Sequence, residues 1–216
     1  MATFIWTILL LFGLNISNPD ARKGNKSYEN GDYEGAKTWF YSALDQDPNN
    51  AEILFNLGNT LTKLGEIEEA IKMFMQAKNY TNDTHLKALA DYNIGTVLAE
   101  NEQWKPAMKH LRASLQKLPY DSEGQFNYEY ALMKSSEEDD NNEQNQDQNE
   151  DQEPPPEPSM YAKAVKEQAD ALVNESRYAS AFNLMQEALG VDETVRYYES
   201  FINRIGAVNQ IEQTDN

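Results

Sequence analysis

The stretch Gly24–Ala43, GNKSYENGDYEGAKTWFYSA, returns 34 residues later as Gly58–Ala77, GNTLTKLGEIEEAIKMFMQA. Gly24, Asn25, Gly31, Ala36, Phe40 and Ala43 recur as Gly58, Asn59, Gly65, Ala70, Phe74 and Ala77. A third copy places Gly95, Ala107 and Leu111 37 residues beyond Gly58, Ala70 and Phe74, which puts an insertion near His85–Lys87. A fixed period of this size is the signature of a repeat architecture and takes precedence over any element-by-element reading.

The residue types say what the repeated unit is. Gly24, Gly58 and Gly95 fall in the middle of helical patterns, where glycine is a poor helix former, so a close helix–helix contact is the reason to keep it. Ala36, Ala70 and Ala107 are the matching small residues on the partner helix. Gly31 and Gly65 stand where the first helix must stop, and glycine is favoured just past a helix C-terminus. Leu57, Leu61, Ile67, Ile71 and Phe74 fill the seam, and Pro48 and Pro119 punctuate units one and three. Each unit is a helical hairpin that cannot bury its apolar face alone and must stack on its neighbours. The fold class is all-α.

This pattern resembles the tetratricopeptide repeat over residues 18–135. The departures are local: the first helices lack tryptophan, Asn82 replaces the proline that ends unit two, and Glu102 replaces the turn glycine of unit three. The helix pairs are expected at 19–30 and 33–45, 51–64 and 67–79, and 88–101 and 104–117. Residues 122–135 repeat the first-helix pattern alone and read as a cap that closes the solenoid.

The flanks differ in character. Residues 1–17 are apolar from Ala2 to Leu14, and 13 helical residues would span only about 20 Å, short of a bilayer core. They read as a signal peptide or an N-terminal anchor, which places the chain in the cell envelope, either periplasmic or held in the inner membrane. Residues 136–159 carry ten Asp or Glu and no Lys or Arg, with nothing apolar to bury, so the sequence predicts a disordered acidic linker. Residues 160–207 repeat the hairpin logic in weaker form, with Ala169 at the glycine place and Ser176 at the turn, then a closing helix near 193–206. Residues 208–216 read as a disordered tail.

Charge and residue counts exclude several functions. A net charge of −18 leaves no basic surface to neutralise phosphates, so nucleic acid is not a partner. With no cysteine there is no disulfide, thiol catalysis or thiolate metal site. His85 and His110 are expected as solvated helix residues, far from each other and from any nucleophile. No phosphate loop or histidine–glutamate–histidine spacing occurs, so the chain reads as a non-enzyme with no cofactor and no metal.

The candidate site is a peptide-binding groove on the first helices, which line the concave face of a stacked hairpin array. Asn56, Asn93 and Asn127 occupy equivalent places, with Asn25 and Asn59 one turn further on. An amide both donates and accepts, so such a ladder can hold an extended peptide backbone. Phe55, Tyr92 and Phe126 form an aromatic row beside it. In the resembled family these are the ligand-contacting places. Only Arg22 and Lys63 could clamp a carboxylate, whereas Glu29, Glu52 and Glu100 favour a neutral or basic segment.

The whole plan of leader, three repeats, Asp/Gln-rich tail and short helical module resembles the tetratricopeptide proteins of the Bacteroides aerotolerance operon (BatC/BatE type). That resemblance implies an adaptor in a stress complex with von Willebrand A-domain membrane proteins. The alternative is a self-assembling scaffold, a homo-oligomer in which the C-terminal module docks on another copy.

Overall fold

The computed structural model describes residues 18–146 and 157–214. Their regular structure is helical throughout, with no strand among the described residues. The chain divides into two compact units, with the boundary after Ser135. The expected leader lies outside the described residues, as do 147–156 of the expected acidic linker.

The first unit is built from helix pairs: α1 (Pro19–Glu29) with α2 (Tyr33–Gln46), α3 (Ala51–Leu64) with α4 (Ile67–Tyr80), and α5 (Thr84–Glu100) with α6 (Trp104–Leu115). Successive pairs stack, α2 on α3 and α4 on α5. The side chains of Asn18, Asp32, Asn50 and Asp83 accept backbone N–H groups at the starts of α1, α2, α3 and α5, satisfying donors a helix leaves free. The inserted residues near His85 lengthen α5 at its start, which the Asp83 cap makes possible.

The expected small-residue seam is present. A Cβ on Gly24 would lie 2.7 Å from the Phe40 ring, and one on Gly58 would lie 2.6 Å from the Phe74 ring. Ala36, Ala70 and Ala107 are fully buried opposite them. Glycine is therefore kept because the neighbouring hairpin arm occupies the space a side chain would need.

The missing turn glycine of unit three leaves the turn intact. Gly31 and Gly65 take φ of 78° and 76°, and Glu102 takes 59° in the same place. Its N–H bonds to Ala99 O, and Gln103 N–H bonds to Leu98 O, the same pair of bonds that Gly65 and Glu66 make to Thr62 and Leu61. Ser176 repeats the geometry at φ 59°, with bonds from Ser176 and Arg177 to Val173 and Leu172. A left-handed backbone costs a non-glycine residue about 1 kcal/mol. Glu102→Gly and Ser176→Gly are each expected to stabilise their own unit by about that amount, read as a higher urea midpoint at unchanged slope.

Helix α7 (Ser122–Gln146) begins as the expected cap but runs past Ser135, so the helix enters the segment expected to be a disordered linker. Neither glycine nor proline interrupts residues 136–146, and five of those eleven are the good helix formers Glu and Gln, so the helix begun at Ser122 meets no breaker there.

The second unit contains a hairpin of α8 (Met160–Asn174) and α9 (Tyr178–Leu189), a short 3₁₀ helix at Glu193–Tyr198, and α10 (Glu199–Thr214) packed on α9. Ala169, Ala181 and Met185 are fully buried in its seam. The Ser159 hydroxyl caps α8 at Ala162 N–H and hydrogen-bonds Asp192, while Ser159 N–H donates to Thr194 Oγ1 at 3.1 Å. Helix α10 continues to Thr214 where the sequence reading placed a disordered tail from residue 208. Gly206 does not break it, because its bare Cα lets the Phe182 ring close in: a Cβ there would lie 2.8 Å away.

Candidate functional site

The first helices α1, α3, α5 and the start of α7 carry all nine residues expected to line the groove. Arg22 is exposed and Asn25 is half-buried. Asn56, Asn59 and Asn93 are at most 1% exposed, and Asn127 is 6% exposed. Their amides are spent on one another across the repeat boundaries. Asn56 Nδ2 donates to Asn25 Oδ1 at 3.0 Å, and Asn93 Nδ2 donates to Asn59 Oδ1 at 2.8 Å. The next rung differs because Thr96 stands where Asn25 and Asn59 stand in the earlier repeats, and its hydroxyl donates to Tyr92 O of its own helix. Asn127 Nδ2 donates instead to the Tyr92 phenol at 3.0 Å.

The expectation of an open amide ladder is corrected by this geometry. In this conformation the asparagines clasp successive first helices, and a ligand touching the surface does not reach them. The aromatic row is corrected likewise for Phe55 and Tyr92, which are 1% and 2% exposed. Phe55 packs edge-on to Phe74, with ring centroids 5.5 Å apart, inside its own hairpin. Burial pushes the Tyr92 hydroxyl up to about 12, helped by the negative charges of Glu123 and Asp121. Phe126 alone of the row reaches the surface, at 48% exposure. Register places these residues on one face of each first helix, and burial there depends on what packs over that face.

What remains outward-facing on these helices is charged and mixed: Arg22, Glu29, Lys63 and Glu100 are exposed, with Glu52 half-buried. Glu100 is exposed by area, yet desolvation by its neighbours pushes its carboxyl above the ordinary range while Lys63 pulls it back. At the starts of α1, α3 and α5 lies an open cleft of about 680 Å³ lined by Asn18, Asn50 and Asp83 among others. Those three side chains cap their helices and are committed to the fold.

A second polar centre was not expected. Asp91 of α5 is 1% exposed and accepts from Lys78 Nζ at 2.7 Å and Lys117 Nζ at 2.9 Å. His110 Nδ1 lies 3.1 Å from the same carboxylate. The expectation of a solvated His110 is thereby corrected; the ring is buried in the seam between α5 and α6. The sequence signal was available, since Asp91 is the one carboxylate inside the long buried run of α5 and a buried charge demands partners. Desolvation is the largest influence on Asp91, but the bond to His110 and the charge of Lys78 outweigh it and hold the carboxyl well below the usual range. Burial pushes His110 down, so the ring stays neutral. Nothing in this centre is open to a substrate. Among the described residues no cluster of metal-ligating side chains occurs.

Residues 27–91 match the family model for the tetratricopeptide repeat. The helical hairpins described above span that stretch. The solenoid is a tetratricopeptide-repeat array. Over 174 residues the chain is 29% identical to the human Protein O-mannosyl-transferase TMTC3, covering 77% of this chain and 17% of that protein. The chain thus spans about a sixth of that relative's length. Among solved structures, the first tetratricopeptide domain of human RPAP3 superposes with a TM-score of 0.51 at 19% identity, covering 56% of this chain and 93% of that one. MamA superposes at 0.50 with 20% identity, covering 83% and 93%. YrrB, described as a tetratricopeptide protein with an unusual peptide-binding site, superposes at 0.50 with 18% identity, covering 85% and 92%. At these identities the likeness speaks for the tetratricopeptide fold alone, and such folds serve in protein–protein interaction.

Proposed function

We propose that this chain is a non-enzymatic adaptor whose tetratricopeptide first-helix face holds an extended segment of a protein partner. The observation that supports it best is the amide clasp. By pinning α1 to α3 and α3 to α5, it fixes the spacing of the outward residues and makes a preorganised surface that loses little entropy on binding. The peptide-binding site named for YrrB points the same way by analogy. Exposed carboxylates at Glu29 and Glu100 favour a neutral or basic segment. The transferase activity named for the human relative belongs to that protein, of which this chain spans a small part.

The test is capture of partners from the native cell by full-length protein, compared with the quadruple variant Arg22→Ala, Glu52→Ala, Lys63→Ala, Glu100→Ala. Loss of the captured proteins at unchanged thermal stability is the expected result; identical capture would overturn the groove. Asn56, Asn93 and Asn127 are poor probes of binding, since changing them disturbs the fold first. The finer reading, an envelope adaptor beside von Willebrand A-domain membrane proteins, is supported only by the resemblance of the leader and repeat openings. Fractionation of tagged protein tests it: recovery wholly from the cytoplasm at full mass would sink it.

A further inference from the structure

We propose that Glu123, Phe126, Tyr130 and Met133 of α7, with Trp104 of α6, form a docking shelf for a protein segment carrying an apolar side chain beside a lysine or arginine. The proposal rests on the adaptor reading and names the chemistry of its partner. The spacing i, i+3, i+7, i+10 sets these four residues of α7 on one helix face. Phe126 stacks on Tyr130 with centroids 6.5 Å apart and planes 17° apart, and Trp104 meets Tyr130 edge-on at 5.9 Å. Phe126 and Met133 are 48% and 47% exposed.

Three ordered aromatic rings and a methionine gathered at one surface place differ from scattered exposed apolar residues, and aromatic and methionine side chains are what interface cores favour. The adjoining stripe of the helix is already used: Asn127 and Ala131 are buried, and Asn127 donates to the Tyr92 phenol of the third repeat. In the earlier repeats the equivalents of Phe126, which are Phe55 and Tyr92, are covered. Phe126 has no following helix pair in its own unit to cover it.

Charge decides the occupant. Glu123 is half-buried, and one of its carboxylate oxygens is shut off from solvent without a hydrogen-bond donor. A buried carboxylate oxygen left this way is costly, and the loose terminal torsion of glutamate lets it turn to a cation arriving on the shelf. Lys134 lies over this cluster, 5.9 Å from the Tyr130 centroid, eleven positions or about 16 Å along the helix from Glu123. The chain as a whole carries a net charge of −18, which favours a basic segment over an acidic one. A second copy, itself at −18, is repelled by the same field.

The test is selection of a displayed random-peptide library on the full-length protein, with Phe126→Ser/Met133→Ser and Glu123→Lys as counter-selections. The expected consensus pairs an aromatic or large aliphatic residue with Lys or Arg. Binding of its best peptide should fall about tenfold or more in the double-serine variant. The Glu123→Lys protein should prefer the peptide with its basic residue changed to Glu. A basic–apolar consensus indifferent to both variants but lost with Arg22, Glu52, Lys63 and Glu100 changed would overturn the shelf and keep the groove. No consensus at all would overturn both. A concentration-dependent dimer that disappears in the double-serine variant would make the occupant a second copy and refute the proposal. Both variants change exposed or half-exposed side chains, and an unchanged urea midpoint checks that they fold.

Discussion

Asp91→Ala is expected to cost the solenoid on the order of 3 kcal/mol, read from the denaturant midpoint. The carboxylate is fully enclosed and serves three partners from α4, α6 and the turn after α6, so its removal releases the contact between repeats two and three at once. The cost sits at the lower end for a broken buried ion pair because the Lys78 and Lys117 side chains keep 30% and 27% exposure and can rehydrate. A loss under about 1 kcal/mol would mean that the cluster only decorates the seam.

The same centre sets an acid limit with two limbs. His110 is neutral when folded and binds a proton more readily once unfolded, so its contribution is complete above the ordinary histidine pKa, about 6.5, and falls away below it. Asp91 is held ionised when folded, so its contribution is complete above the ordinary carboxyl value, about 4, and is lost as pH falls further. His110→Gln should flatten the stability profile between about pH 7 and 5, and Asp91→Asn should remove the steeper loss below about pH 4. Equal profiles for the parent and His110→Gln would show that the ring is not the upper limb.

This centre marks the limit of what the chain discloses before its structure is known. The 34-residue echo of Gly24, Ala36 and Phe40 announces the hairpin, its seam and its stacking direction, because those residues act through local shape and recur. Asp91, Lys78, His110 and Lys117 do not recur. They meet only after three helices have packed, and nothing periodic marks them. The site reading failed in a related way at Phe55 and Tyr92. Equivalent register fixes which helix face a residue occupies, while burial depends on how far the next repeat closes over that face. Phe126 differs from them by position in the array and not by residue type.

The buried amides allow the clasp to be measured directly. Asn93→Ala removes the donor to Asn59 Oδ1 in a site with no water access and is expected to cost about 2 kcal/mol. Asn59→Ala should cost a similar amount, since Asn93 Oδ1 is already enclosed without a donor and the remaining N–H would then lose its acceptor. If the two act as one bond across the repeat boundary, the double variant costs less than the sum, with a coupling of about 1 kcal/mol or more. Arg22→Ala, on the exposed flank of the same helix stack, should stay within about 0.5 kcal/mol and serves as the control. Strict additivity of Asn59→Ala and Asn93→Ala would mean that each amide merely fills its own helix. The preorganised floor proposed for the adaptor would then need an origin other than this bond.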